Sequence, residues 1–386
     1  MFGLLGQLVT VGAHAVGLAT HATPAMGGED LTEAYLTQPA VMVDATFGPL
    51  QFAGMVNFEG WTLDRGELNA GVWGEGYSDR RHPHTFLHEA MLTLEGSGLG
   101  GKGSLSAGRG FAPFGTDDPM VRPFVKYPTN HHLSQILERW VISGAVRGGP
   151  VILEGGLFNG VEPTSPEDLG DVDKFGDSWS ARLTVTPRSW LELQGSYAEV
   201  ESPENQFGGG LDHRMWNASA RVQRWWGAHE VYALFEIGET VEGQDDLDAF
   251  KFRTFLGEAA VKRGAWQLAS RFEHSERPEE ERLVDPFRTV RPAPDNGIVG
   301  VTQWTIATVG LSRTSQLGSF RLQPFIEVAR IHAEATEEFP VFIPAFFYGD
   351  DDMWSFSFGI RSTVGAWHSR MGRYGAGRVQ NSHQQH

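Results

Sequence analysis

The sequence predicts an all-β chain folded as a single antiparallel transmembrane β-barrel, and three observations carry that expectation. Apolar residues recur at every second position in many short segments, which is the period of a strand with one greasy face. No apolar run reaches the roughly 18 residues that a membrane helix needs. Short and long connections alternate between the segments, as they do in bacterial barrels with tight periplasmic turns and long outer loops.

The final segment shows the pattern most clearly. Trp354, Phe356, Phe358 and Ile360 stand on one side, with Ser355, Ser357, Gly359 and Arg361 on the other. Upstream, Trp179, Ala181, Leu183 and Val185 alternate with Ser178, Ser180, Arg182 and Thr184. The next run sets Leu191, Leu193 and Tyr197 against Glu192, Gln194 and Ser196. Trp216, Ala218 and Val222 oppose Asn217, Ser219 and Arg221, while Trp266, Leu268 and Phe272 oppose Gln267, Arg271 and Glu273. Phe320, Leu322 and Ile326 oppose Arg321, Gln323 and Glu327. Trp179, Leu183, Trp216, Trp266, Trp354, Phe356 and Phe358 are therefore expected to face lipid. Arg182, Arg221, Arg271, Arg321 and Arg361 are expected to face the lumen, opposite Glu192, Glu273 and Glu327.

Composition agrees with a barrel rather than opposing it. Mean hydropathy is slightly negative, because only alternate residues of each strand touch lipid while the lumen is wet. The absence of cysteine from 386 residues suits passage through an oxidising periplasm. A formal charge of -17 makes nucleic-acid binding unsupported and points an open lumen toward cations.

Connections set the strand count and the ends. Short links fall at Gly48 to Leu50, Gly98 to Gly103, Arg147 to Pro150, Pro187 to Trp190, Trp226 to His229, Arg263 to Gly264 and Ser315 to Ser319. Long ones span Gly60 to His84, Gly110 to Gln135, Gly160 to Gly176, Glu201 to Asp212, Thr240 to Asp248, Ser275 to Gly297 and Ala333 to Asp352, all expected outside. About 16 strands result, with about 14 the next even count. Residues 1–38 are assigned to an N-terminal segment that supplies a weak first strand over Leu5 to Thr20 or the remnant of a leader. Residues 39–365 form the barrel, and the basic, Gln-rich residues 366–386 are expected to be a flexible tail. The first basic residue is Arg65, so no signal peptide is evident and a leader is expected upstream.

The string Gly74-Glu-Gly-Tyr-Ser-Asp-Arg-Arg-His-Pro-His-Thr-Phe-Leu-His-Glu89 is dense in chemistry-bearing side chains. Together with Phe158-Asn-Gly-Val-Glu-Pro163, Asp177-Ser-Trp-Ser-Ala-Arg-Leu183 and Tyr348-Gly349, it resembles an uncharacterised family of bacterial outer-membrane β-barrel proteins, over about residues 30 to 364. The resemblance implies export to the outer membrane and carries no activity.

His82, His84, His88 and Glu89, with His131 and His132 in the next long loop, offer imidazole and carboxylate ligands suited to zinc or copper. The structural alternative is a plug, in which Arg80 and Arg81 pair with loop acids and the histidines bond within the barrel mouth. No Gly-x-Ser-x-Gly elbow occurs, and Phe207-Gly-Gly-Gly210 lacks a following Lys-Ser/Thr, so no catalytic residues are assigned. The sequence thus points to a porin-like passive channel for ions or small solutes, set in outer-membrane lipid and able to self-associate. Two alternatives stand beside it: a copper- or zinc-binding outer-membrane protein tied to metal handling, and a closed barrel with a scaffold or hydrolase role.

Overall fold

A computed structural model describes residues 7–63, 84–98, 100–163, 165–203, 205, 209–245, 247–280, 298–337, 340, 343–367 and 370–379. Sequential antiparallel pairing runs from β1 (Gln7–Thr23), β2 (Leu31–Phe47) and β3 (Leu50–Asn57) through β4 (Leu87–Gly98), β5 (Gly101–Gly110), β6 (Arg139–Gly148) and β7 (Val151–Phe158). It continues through β8 (Ser178–Arg188), β9 (Leu191–Val200), β10 (Asp212–Trp226), β11 (His229–Gln244), β12 (Leu247–Arg263) and β13 (Trp266–Glu280). The last members are β14 (Ile298–Arg313), β15 (Ser315–Leu317), β16 (Phe320–Ala335) and β17 (Asp352–Gly365). β1 pairs with both β2 and β17, which closes the sheet on itself. Closure leaves no unpaired edge, the condition for strands to cross a bilayer.

Seventeen segments make sixteen staves, because the three residues of β15 continue β14 along the same edge of β16. The predicted count is met. The predicted domain boundary is not: position 38/39 falls inside β2, and the barrel starts at Gln7 with a full strand. Small residues made that strand weak in the pattern, where it was expected over Leu5 to Thr20. Gly12, Ala13, Ala15, Gly17, Ala19 and Ala22 carry too little side chain to show a greasy face, yet β1 pairs along its whole length with both neighbours.

Tight two-residue links join the strands at one end. Gly48, Gly149, Gly227, Gly264 and Gly318 open five of them with φ between 56° and 62°, the left-handed backbone that favours glycine in such hairpins. Both chain ends reach this short-turn end, since Gly12 pairs with Gly365.

Side chains alternate as the sequence requires. Trp179, Leu183, Trp216, Trp266, Trp354, Phe356 and Phe358 all lie on the exposed outer surface of the staves. Their strand neighbours Ser178, Arg182, Asn217, Ser355 and Ser357 are buried inside.

The lumen is not empty: a segment expected as an outer loop and another expected as a flexible tail fill it. Residues 111–138, expected as an outer loop, turn inward from the long-loop end and are almost wholly buried. Their Phe111, Phe114, Met120, Tyr127 and Ile136 form an apolar cluster with lumen-facing Met42, Met55, Met91 and Val141. Such side chains lower their free energy by leaving water, at about 25 cal/mol per Å², whereas an external loop would keep them wet.

The predicted flexible tail is likewise corrected over residues 370–379, which enter from the short-turn end. Gly365 adopts φ 73°, and a Cβ there would collide with the Val11 carbonyl oxygen. The chain then crosses Gly12, whose missing Cβ leaves room for the Ala366 carbonyl. Trp367 stacks on His14 at 4.6 Å between ring centroids, and Met371, Arg373, Tyr374 and Ala376 are buried within the barrel.

Candidate functional site: the filled lumen and its rims

The lumen-facing ions predicted from alternation are in place, and most of them grip the inserted segments. Arg182 is held by Glu154 at 2.7 and 2.8 Å, and its remaining N–H groups donate to the carbonyls of Phe114, Gly115 and Gly372. One guanidinium thus ties wall, loop and tail together. Arg271 donates to Glu273 and to the Lys126 carbonyl at 2.9 Å, and lies 4.8 Å over the Phe124 ring. Arg361 donates to the carbonyls of Arg122 and Phe124.

Carboxylates do the complementary task for the loop's N–H groups. Glu327 accepts from the Val125 amide at 2.8 Å and Glu273 from the Thr129 amide at 2.7 Å. Glu236, which alternation did not single out, accepts from Thr116 at 2.5 Å and Asn130 at 2.6 Å. A loop buried in a barrel must satisfy its backbone somewhere, and these long charged side chains reach it.

The tail is held by ion pairs. Arg370 binds Asp117 at 2.8 Å and Glu192 at 2.7 and 3.1 Å, and Arg373 binds Glu192 at 3.0 Å. Arg221 also contacts Asp117. Burial opposes the Asp117 charge, but Arg370 and Arg221 outweigh it and hold the carboxyl below its usual range. Burial, reinforced by the adjacent Arg182, lowers Arg373 to about 10. The Tyr374 hydroxyl accepts from the Phe111 amide at 3.0 Å, so the tail also touches the inserted loop.

Past these contacts, an open cavity of about 440 Å³ remains at the short-turn end. Arg122, Arg221, Lys262, Arg321 and Arg361 line it with Glu230. Arg321 is exposed into this space, whereas Arg221 and Arg361 are half-buried and Arg182 and Arg271 are buried.

The predicted metal-ligating set is partly assembled at the other rim. His82 lies outside the described residues. His84, His88 and Glu138 come together, with His88 Nδ1 2.6 Å and His84 Nδ1 3.5 Å from Glu138 Oε1. A β-bulge explains why His88 turns in: across β3, Met55 pairs with Glu89 and Val56 with Leu87, leaving His88 as the extra residue. Consecutive His88 and Glu89 are therefore both buried. Glu89 faces the Tyr374 hydroxyl of the tail instead of the histidines. His131, at the start of a short helical turn α1 (His131–Ser134), stacks on His84 with centroids 6.1 Å apart. The same turn contains His132. Burial pushes the nearby Asp118 up to about 6, against the pull of His88. Sequence reasoning missed Glu138; its position directly before a strand, at the end of the histidine-bearing loop, was the available signal.

No family model and no curated protein sequence matches the chain. Solved structures do. An anion-selective porin from Comamonas acidovorans superposes with a TM-score of 0.55 at 12% identity, covering 93% of this chain and 100% of that one. The fold is that of a porin-like barrel. OmpT, an outer-membrane protein of Vibrio cholerae in its trimer form, superposes with a TM-score of 0.50 at 11% identity, covering 93% and 99%. The porin-like barrel described above is therefore a known architecture carried by a sequence far from those relatives.

Proposed function

We infer that the protein is an outer-membrane channel passing small ions or solutes by diffusion, narrowed by its own loop and tail. Barrels of about 16 strands are wide enough to enclose an aqueous passage. The carrying observation is the open cavity of about 440 Å³ at the short-turn end, where Arg221, Glu230, Lys262, Arg321 and Arg361 line the space beside Val121 and Trp367.

Selectivity follows from that lining rather than from the whole chain. The net charge of -17 favours cations at long range, but a passing ion responds to the groups lining the space it enters. There, Arg321 and Arg361 present guanidinium groups, and Glu230 lies against Lys262 at 3.9 Å. This supports a preference for small anions.

Planar-bilayer recording of the purified protein tests both statements. Stepwise conductance and a reversal potential on the anion side in a salt gradient are expected, and Arg321→Glu with Arg361→Glu should move that potential toward cations. Silence at every voltage would remove the channel reading; an unmoved potential would remove the selectivity.

A further inference from the structure

Away from the cavity, at the long-loop rim, three imidazoles and the Glu138 carboxylate gather in a place closed to solvent. His84 and His88 stack at 5.3 Å with an interplanar angle of 14°, and His131 continues the stack at 11°. One potential ligand atom from each of His84, His88 and Glu138 lies within 4.8 Å of the other two. All three residues are buried.

We propose that His84, His88 and Glu138 form a zinc(II) site that staples the end of the inserted loop to the wall of the barrel. Two imidazole nitrogens and a carboxylate oxygen are a donor set zinc takes readily, with a fourth position left for water or a small anion. Ligands about 2 Å from a tetrahedral ion sit about 3.3 Å from one another. His84 Nδ1 and Glu138 Oε1 are already at 3.5 Å, while the 2.6 Å contact of His88 Nδ1 with Glu138 must open and the two stacked rings must turn their in-plane lone pairs onto the ion.

Two features go beyond what a hydrogen-bonded histidine–glutamate pair requires. Glu138 holds φ 58°, a left-handed backbone that few non-glycine residues adopt. The β-bulge at His88 spends a ladder position to aim an imidazole inward that regular alternation would send to the outer face. Each device serves to converge donors on one point. Glu138 is also fixed from behind, since it accepts from the Thr85 amide at 3.0 and 3.2 Å, the kind of support that orients a ligand.

The proposal does not depend on the channel reading, and its test uses no transport measurement. Refolded full-length protein is equilibrated with zinc(II) and freed of excess. Bound metal is then counted by elemental analysis, and affinity is measured by competition with a chromogenic chelator. One zinc per chain is expected, lost in His84→Ala/His88→Ala and kept in His332→Ala. The last variant controls for the more exposed cluster of His332, Asp351 and Asp352. A heat-modifiable double variant that still binds one zinc with unchanged affinity would overturn the site, as would loss of the metal on His332→Ala instead. If the double variant does not fold, Glu138→Gln decides, because its amide oxygen can still accept from Thr85. Its affinity is expected to fall more than about 100-fold, beyond the loss of a supporting partner, and unchanged affinity would again overturn the site.

Discussion

The loop of residues 111–138 and the tail of residues 370–379 occupy one lumen but are seated by different forces. The loop is anchored at both ends by strands, buries Phe111, Phe114, Met120 and Ile136 in an apolar cluster, and has its backbone met by Glu273, Glu327 and Arg271. The tail leaves the wall at Gly365, adds Met371 and Tyr374 to the same apolar cluster, and relies besides on Arg370 and Arg373 reaching Asp117, Glu192 and Glu154. Apolar burial is insensitive to salt and pH, whereas ion pairs respond to both. The difference leaves the tail, with more of its seat in ion pairs, the more open of the two to salt and acid.

Truncating the loop's core should produce the largest effect. Phe114 is 2% exposed, and Phe114→Ala is expected to cost about 3 kcal/mol or more of unfolding free energy, read from a urea titration in detergent. A cost below about 1 kcal/mol would mean the loop is as loosely seated as the tail.

Deleting residues 366–386 should spare the barrel and open it. Single-channel conductance is expected to rise severalfold with heat-modifiability on gels unchanged. Equal conductance would show that the loop alone sets the resistance.

A gentler change separates seating from presence. Arg370→Gln with Arg373→Gln removes the ion pairs that hold the tail, so trypsin should reach Arg378 in the variant while the wild type resists. The unfolding midpoint should fall only modestly, because undocking gives up the burial of Met371 and Tyr374 while water reaches the Glu192 left behind. Protection in both proteins would give the seat to Tyr374 and its contact with Phe111 instead.

Acid should loosen the same seat by the smallest margin. The Asp117 carboxyl is held below its ordinary value, so its contribution is complete above about pH 4 and declines as pH falls through the depressed folded value. Pepsin cleavage of the tail should therefore appear only below that range, and the loop should stay protected. Tail release at neutral pH would contradict the sign of this linkage.

By itself, the sequence determined the wall. Alternation placed Trp179, Trp216 and Phe356 outside and Arg182, Glu192 and Glu273 inside, and turn spacing gave the number of staves, because strand period and hairpin chemistry are local properties. Where local signal is thin, as in the small residues of β1, the strand was legible only as a weak one. Tertiary structure alone decided what the lumen holds. Whether a long polar-and-aromatic loop turns inward depends on acceptors and donors contributed by Glu236, Glu327, Arg271 and Arg361, which lie more than a hundred residues away along the chain. The meeting of His84 and His88 with Glu138 has the same origin: it needs a one-residue bulge, a left-handed backbone and a folded-in loop, and none of these leaves a periodic mark in the sequence.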